Sequence, residues 1–305
     1  MPHVPRWAAV AMTAPLYRVA LDGRRPVAWQ RRLTEAGARV GRVPRGTYVE
    51  PVRLGGRPAE RVSCGATDRP RAVLYLHGGG YVVGSARMYR VLAAYLSRAT
   101  GAVVYTLDYR LAPEHVYPAA LDDAVAAFGD LVDREGFAPD RIALAGDSAG
   151  GGLAVAAARL LTDSGRRPAA LALLSPWVDP SDLDSGRNGA SRDFVVSKAW
   201  GKACADMYRA HADPCDPGYA PLHGDLSGLP PMLIHRCKRE VLANQIGRFT
   251  ERARAAGVDV RTVDHPWLWH SGQMLAGMLR EATDAVHDIG IYLRGHLDYV
   301  AATSG

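Results

Sequence analysis

The hydrophobic pattern of the chain changes near residue 72. Before that point, apolar residues recur every three to four positions, as in Trp29, Leu33, Ala36 and Val40. This is the period of an amphipathic helix, and it predicts that residues 1–45 are helical. Two short apolar runs follow at 47–54 and 59–62, separated by Gly55-Gly56, and they predict a β-hairpin.

From residue 72 onward, short apolar runs alternate with longer amphipathic segments. Strands are predicted at 73–76, 102–107, 142–145, 170–174, 232–235 and 258–263, and helices at 89–97, 119–134, 151–161, 243–256 and 274–297. This alternation predicts an α/β fold, a mainly parallel sheet with helices on both faces. Residues 180–226 interrupt it with aromatic residues among glycines and charges, which is typical of a lid or cap.

Composition narrows the possible functions. With 305 residues, 48% of them hydrophobic, the chain is long enough to bury a large core. The net charge of +6 comes mostly from scattered arginines, which indicates a solvated surface and no nucleic-acid partner. Four cysteines without a Cys-x-x-Cys pair indicate reduced thiols in a cytoplasmic protein and no metal site.

The N-terminal segment has two readings. Residues 6–14 faintly resemble the charged and apolar regions of a signal sequence, but Pro15 interrupts the run and an amphipathic pattern continues after it. We therefore expect a helix that lies over the active site. Attachment to a membrane surface is the less favoured alternative.

The sequence Gly146-Asp147-Ser148-Ala149-Gly150 stands between a predicted strand and a predicted helix. In that context Gly-x-Ser-x-Gly is a nucleophile elbow, a strained turn that exposes the serine hydroxyl. Ser148 is therefore the candidate nucleophile. The Ala149 amide, at the start of the helix, is a candidate donor to an oxyanion.

The other parts of an acyl-transfer site follow from chain order. The predicted strand at 73–76 is followed by His77 and three glycines. The amides of Gly79 and Gly80 complete the candidate oxyanion hole. His77 is expected to brace this loop. The general base must follow the nucleophile in the chain, and His270, just beyond the last strand, is the candidate.

Four ordered motifs resemble those of the bacterial hormone-sensitive-lipase-like esterases: HGGGYVVGS at 77–85, YRLAPEH at 109–115 with PAA at 118–120, GDSAGG at 146–151 and LSGLPP at 226–231. The resemblance covers the chain from about residue 45 to its end. It implies an α/β-hydrolase core with an eight-stranded sheet at 46–179 and 227–305. It also implies a cap formed by N-terminal helices at 1–45 and an insertion at 180–226. The implied activity is hydrolysis of short-to-medium acyl esters without a cofactor.

The sequence departs from this family at the catalytic acid. When the chain is aligned on Glu240-Val241-Leu242, Arg239 takes the place of the family's aspartate. A cation there would lower the pKa of His270. Three carboxylates are possible replacements: Asp179 ranks first, Glu240 second because it should point to the other side of the turn, and Asp264 third. A further alternative is that no carboxylate is the partner of His270.

The sequence thus predicts a serine ester hydrolase acting on a small-molecule ester or related carbonyl compound. Candidate substrate-binding residues are Tyr81, Trp200, Trp269 and Arg239. Two alternatives stay open: a lyase or cyclase that uses the same oxyanion hole, and a non-catalytic small-molecule binder. A homodimer is possible.

Overall fold

The computed structural model describes residues 3–37, 41–67, 70–183 and 193–298. The strands are β1 (Thr47–Leu54), β2 (Arg57–Cys64), β3 (Ala72–Leu76), β4 (Val103–Leu107), β5 (Ile142–Asp147), β6 (Leu171–Leu174), β7 (Met232–Cys237) and β8 (Val260–His265). The α-helices are α1 (Arg6–Ala20), α2 (Val27–Gly37), α3 (Arg90–Thr100), α4 (Ala119–Asp133), α5 (Ala149–Asp163), α6 (Lys198–Arg209), α7 (Ala243–Ala255) and α8 (Arg280–Asp298).

All eight strands form one sheet in the order β1-β2-β4-β3-β5-β6-β7-β8. The hairpin of β1 and β2 pairs antiparallel to β4, and every other neighbouring pair is parallel. Strands β3 to β6 are buried at every position, as expected for parallel strands covered on both faces. The predicted α/β fold is confirmed. Because β3 to β8 run in one direction, their carboxyl ends meet at one edge of the sheet.

Alternate residues of each strand point to opposite faces, and the helices divide accordingly. On one face, Val73 and Tyr75 pack in a core with side chains of α3 and α8. On the other, Leu74 and Leu76 pack with side chains of α4, α5 and α7. The sheet is therefore held rigidly between two layers, with its carboxyl edge left for the functional loops.

The N-terminal helices and the insertion after β6 are joined to each other. The Trp200 indole N–H of α6 donates to Gln30 Oε1 of α2 at 2.8 Å. The Arg31 guanidinium, also on α2, donates to the Val82 carbonyl at 2.8 Å. These contacts tie both predicted cap segments to the loop that follows β3. The boundaries 1–45 and 180–226 remain predictions; Val40 and residues 184–192 lie outside the described part of the chain.

The last helix begins later than the pattern predicted, at Arg280 and not at residue 274. Residues Gly272–Leu275 form a single 3-10 turn, and Gly277 has φ 82°, a left-handed conformation that ends a helical path. In the described ranges, no helix is long and apolar enough to cross a membrane.

Candidate active site

Ser148 lies at the sharp turn between β5 and α5. Its backbone has φ 50° and ψ −122°, outside the regions that non-glycine residues commonly adopt. The turn approaches the end of β3 so closely that a Cβ on Gly150 would collide with the Leu76 carbonyl oxygen. Only glycine fits there, so the elbow forms because this sequence lets two strands and the new helix meet without side chains between them.

Three backbone amides are the predicted oxyanion donors: Ala149 in this turn, and Gly79 and Gly80 in the loop after β3 (residues 77–84), called the oxyanion loop for that predicted role. The N–H groups of Val82 and Val83 both donate to the Gly79 carbonyl, at 3.1 and 3.0 Å, and fold the loop after β3 into a tight turn. In the described residues, no hydrogen bond uses the amides of Gly79 and Gly80. The Ala149 amide belongs to the first turn of α5 and has no intrahelical acceptor. These donors are free to bind an oxyanion.

Asp147 fixes the oxyanion loop against the elbow, a role that the sequence reasoning missed. Its buried carboxylate accepts hydrogen bonds from the Gly78 amide at 2.8 Å, the Tyr89 hydroxyl at 3.0 Å and the Tyr75 hydroxyl at 3.2 Å. Burial raises the pKa of Asp147, and the hydrogen bonds oppose that rise. A signal existed in the sequence, because a carboxylate inside an otherwise apolar strand end requires buried donors.

His77 braces the same loop. Its ring stacks on Tyr109 with centroids 4.2 Å apart, its Nδ1 lies 2.8 Å from the Gly78 carbonyl, and the Tyr109 hydroxyl donates to the His77 carbonyl at 2.6 Å. Burial lowers the pKa of His77 to about 4. The ring is therefore neutral near pH 7, and its placement suits support of the loop.

His270 has a carboxylate partner, and that partner is Glu240. The Nδ1 atom of His270 lies 2.8 Å from Glu240 Oε2, while Oε1 of the same carboxylate accepts from the Cys237 amide at 2.9 Å. The expectation that Glu240 points to the other side of the turn is corrected by this contact. The residue folds back across the turn that follows β7, because the Cys237 amide holds one of its oxygens.

The environment of His270 favours its charged form. Burial lowers the pKa of His270, but the hydrogen bond and charge of Glu240, with smaller contributions from Asp193 and Asp147, outweigh burial and leave the pKa raised. The lowering expected from a nearby cation is not found. Arg239 is exposed to solvent, where water and salt screen its charge.

The other candidate acids lie elsewhere. Asp179 is buried, but its carboxylate is bound by the Ser181 hydroxyl at 2.5 Å and by His223 Nε2 at 3.1 Å. Asp264 forms a two-pronged ion pair with Arg236 at 2.8 and 3.0 Å. The structure does not bring either carboxylate to His270.

Two further residues hold segments near Glu240. Asp193, from the insertion, accepts from the Val241 amide at 3.2 Å. Gln245, on α7, is buried and binds the segment after β6. Its Oε1 accepts from the Asp179 amide at 2.9 Å, and its Nε2 donates to the Asp182 carbonyl at 2.8 Å. Neither role is visible in the sequence, since both depend on segments far apart in the chain.

The predicted substrate-binding residues fall into two groups. Tyr81 and Trp200 are buried near the oxyanion loop: Tyr81 has φ 63° and stacks on Tyr208 with centroids 3.8 Å apart. A Cβ on Gly80 would lie 3.1 Å from the Trp200 ring and 2.9 Å from Cys204 Sγ, so these two side chains pack directly against the loop.

Trp269 and Arg239 belong to a different part of the site. Together with Arg6, Phe194 and His270 they line a pocket of about 210 Å³. Ser148 and His270 are 6% and 3% exposed, and no hydrogen bond joins them in the described part of the chain. Catalytic contacts of this kind often tighten only when substrate binds. In the same described ranges, no group of three or more His, Cys, Asp or Glu side chains could hold a metal ion.

Comparison with known proteins agrees with this geometry. Residues 73–274 match a family described as having the alpha/beta hydrolase fold. The chain therefore belongs to the α/β-hydrolase fold family.

Individual relatives are similar over most of the chain. An acetyl-hydrolase of Streptomyces hygroscopicus is 40% identical, covering 86% of this chain and 87% of the relative. An esterase of Acinetobacter venetianus is 33% identical, covering 79% and 80%. The crystal structure of an esterase from the bacterial hormone-sensitive lipase family is 37% identical with a TM-score of 0.89, covering 97% of this chain and 100% of that one. The predicted resemblance to hormone-sensitive-lipase-like esterases is thereby confirmed.

Proposed function

We propose that the protein hydrolyses esters of short-chain carboxylic acids through a Ser148–His270–Glu240 triad. That it is a carboxylic ester hydrolase follows from its relatives; the triad and the acyl preference are the proposal. The observation that carries it is the 2.8 Å contact between His270 Nδ1 and Glu240 Oε2, in a chain whose Ser148 has elbow geometry.

Each residue has a defined step in this mechanism. Glu240 keeps the His270 proton on Nδ1, so Nε2 is free to take the proton of the Ser148 hydroxyl as the oxygen attacks the ester carbonyl. The amides of Gly79, Gly80 and Ala149 stabilise the negative oxygen of the tetrahedral intermediate. His270 then protonates the leaving alkoxide, and water releases the acid from Ser148 by the same steps.

We propose that Glu240 replaces an acid normally supplied one residue earlier, where this chain has Arg239. A glutamate side chain is one methylene longer than an aspartate, and the Cys237 amide at 2.9 Å draws it back across the turn. The extra reach supports a contact with His270 from the later position. Arg239 is left exposed and is available to the substrate pocket.

The acyl preference rests on packing beside the oxyanion loop. The leaving oxygen must face His270 to receive its proton, so the acyl chain extends away from it, along the loop. Trp200 and Cys204 of α6 pack against that loop and fill the space at Gly80, and both are buried. A wide indole there leaves room for an acetyl or propionyl group and limits longer chains, which agrees with an acetyl-hydrolase among the relatives.

No observation favours the lyase, cyclase or binder alternatives. Both depend on a histidine without an acid partner, whereas His270 contacts the Glu240 carboxylate. In the described residues the Gly79 and Gly80 amides make no other hydrogen bond, which supports their proposed role as oxyanion donors.

A test combines turnover with active-site labelling. The protein should hydrolyse p-nitrophenyl acetate, and a serine-directed phosphonate should add one equivalent to Ser148, located by peptide mass spectrometry. Ser148→Ala should remove both signals. Turnover that survives Ser148→Ala, or a label on another serine, would contradict the proposal.

A further inference from the structure

The solvent face of α1 is apolar. The helix buries Ala9, Thr13 and Ala20, yet on the opposite side Trp7 is 74% exposed, Met12 48% and Val19 49%. At the 3.6 residues per turn of an α-helix, the exposed side chains span an arc of about 140°. Arg18 is the one charged residue in that arc. A second apolar stripe turned to solvent is unusual for a helix that already packs on a core.

Trp267 is an exposed aromatic residue near the start of α1, on another side of the helix. It is 59% exposed, and the Arg6 guanidinium lies over its ring at 4.5 Å. We call the exposed apolar side of α1, which carries Trp7, Met12 and Val19, the α1 face.

The N-terminal segment that carries the α1 face is strongly basic. Residues 3–37 contain six arginines, namely Arg6, Arg18, Arg24, Arg25, Arg31 and Arg32, and only two carboxylates, Asp22 and Glu35. This segment thus carries a net charge of +4, out of +6 for the whole chain. Arg31 is used within the fold, paired with Glu114 at 2.7 Å; the other five arginines are exposed.

The inner side of α1 faces the active-site region. Leu16 and Tyr17 line an apolar cavity of about 370 Å³, and Arg6 and Val10 line the 210 Å³ pocket that contains His270. α1 therefore contacts the pocket that contains His270 with one side and carries the α1 face on another.

We infer that the α1 face docks onto the surface of an anionic lipid bilayer. Exposed tryptophan beside arginine is the composition of helices that lie in the bilayer interface, and the net positive charge complements acidic headgroups. A second copy of the chain is disfavoured as the occupant, because it would bring two segments of net charge +4 together. The inference concerns binding and does not depend on the proposed catalysis.

Vesicle binding by the full chain tests this inference. We expect co-sedimentation with phosphatidylcholine vesicles that contain 30% phosphatidylglycerol, at least tenfold weaker binding to pure phosphatidylcholine, and release by 0.5 M salt. Each arginine near an anionic surface contributes roughly fivefold in affinity, so Arg18→Gln with Arg24→Gln should weaken binding roughly 25-fold. Trp7→Ser with Val19→Ser should also weaken it at least tenfold.

The matched control lies on a different helix. Ile291, on α8, is 53% exposed, and Ile291→Ser should leave vesicle binding unchanged; thermal unfolding shows whether every variant is folded. Equal binding to neutral and anionic vesicles, no binding to either, or an equal loss in Ile291→Ser would overturn the inference. So would a concentration-dependent dimer that Trp7→Ser with Val19→Ser dissociates, since a second copy would then cover the face.

Discussion

Replacing Glu240 by glutamine tests the arrangement around His270 most directly. The amide has nearly the shape of the carboxylate, so its oxygen can still accept from the Cys237 amide. Its NH2 group then faces His270 Nδ1 and can only donate. The imidazole is forced to carry its proton on Nε2, the atom that must accept the Ser148 proton. The variant thus keeps the geometry of the site but holds His270 in the tautomer that cannot accept the serine proton.

The expected loss can be set from the chemistry of serine hydrolases. Loss of the equivalent carboxylate in a serine protease lowers turnover about 10⁴-fold, while the oxyanion hole and binding still supply roughly 10³ to 10⁴ over water. We expect kcat of Glu240→Gln to fall about 10³- to 10⁴-fold, equivalent to ~4 to 5.5 kcal/mol of transition-state stabilisation. KM should change little, because in the proposed mechanism the ester lies on the Nε2 side of His270, away from Glu240.

The assay is steady-state hydrolysis of p-nitrophenyl acetate, with thermal unfolding to confirm that the variant is folded. Asp264→Asn is the matched control: its carboxylate is paired with Arg236, and we expect activity within about threefold of the parent. A Glu240→Gln variant within tenfold of the parent, or an Asp264→Asn variant that loses 10³-fold, would refute the assignment of the acid.

A double variant asks whether position 239 can supply the acid. Because the Arg239 side chain is exposed, Arg239→Asp combined with Glu240→Gln should be as slow as Glu240→Gln alone. Recovery of more than about 30-fold would show that a carboxylate at 239 reaches His270, and that the turn adopts another arrangement in solution.

Three further predictions follow from the site. The pKa of His270 is raised and the base must be neutral, so kcat/KM should fall as pH drops through a midpoint above the usual histidine value. In Glu240→Gln this fall should occur at lower pH. An unchanged midpoint would show that Glu240 does not raise the pKa of His270. Trp200→Leu should raise kcat/KM for p-nitrophenyl octanoate relative to acetate at least tenfold, and an unchanged ratio would place the acyl chain elsewhere. Asp147→Ala frees the Gly78 amide and should lower kcat about 10- to 100-fold, as expected for a misplaced oxyanion donor. The free energy of unfolding, measured in urea, should fall by ~1 to 3 kcal/mol because buried donors lose their acceptor.

The architecture was predictable because its signals are local. Continuous apolar runs such as Val73-Leu74-Tyr75-Leu76 identify buried parallel strands, and chain order then places the elbow and the histidine loop at one sheet edge. The start of the last helix was not predictable from periodicity alone, because the pattern continues through 274–279. The positive φ of Gly277 is a conformational fact that amphipathic spacing does not contain.

The partner of His270 was harder to predict for a different reason. Alignment on Glu240-Val241-Leu242 identifies positions along the backbone, whereas hydrogen bonds depend on where a side chain can reach. Sequence reasoning favours Asp179 as the partner of His270 because an acid after β6 can approach the histidine in this fold. In the structure its carboxylate is already occupied by Ser181 and His223, two residues with no sequence signature of that role.

A second carboxylate helps to hold Glu240 in contact with His270. Asp193 accepts from the Val241 amide, the residue next to Glu240, and its charge also raises the pKa of His270. Glu240 is therefore fixed from two sides: the Cys237 amide binds its carboxylate, and the insertion binds the backbone that follows it. A longer side chain alone would add rotamer freedom and weaken the contact. Because Asp193 supplies part of the restraint, loss of its hydrogen bond to the Val241 amide should loosen the contact between Glu240 and His270.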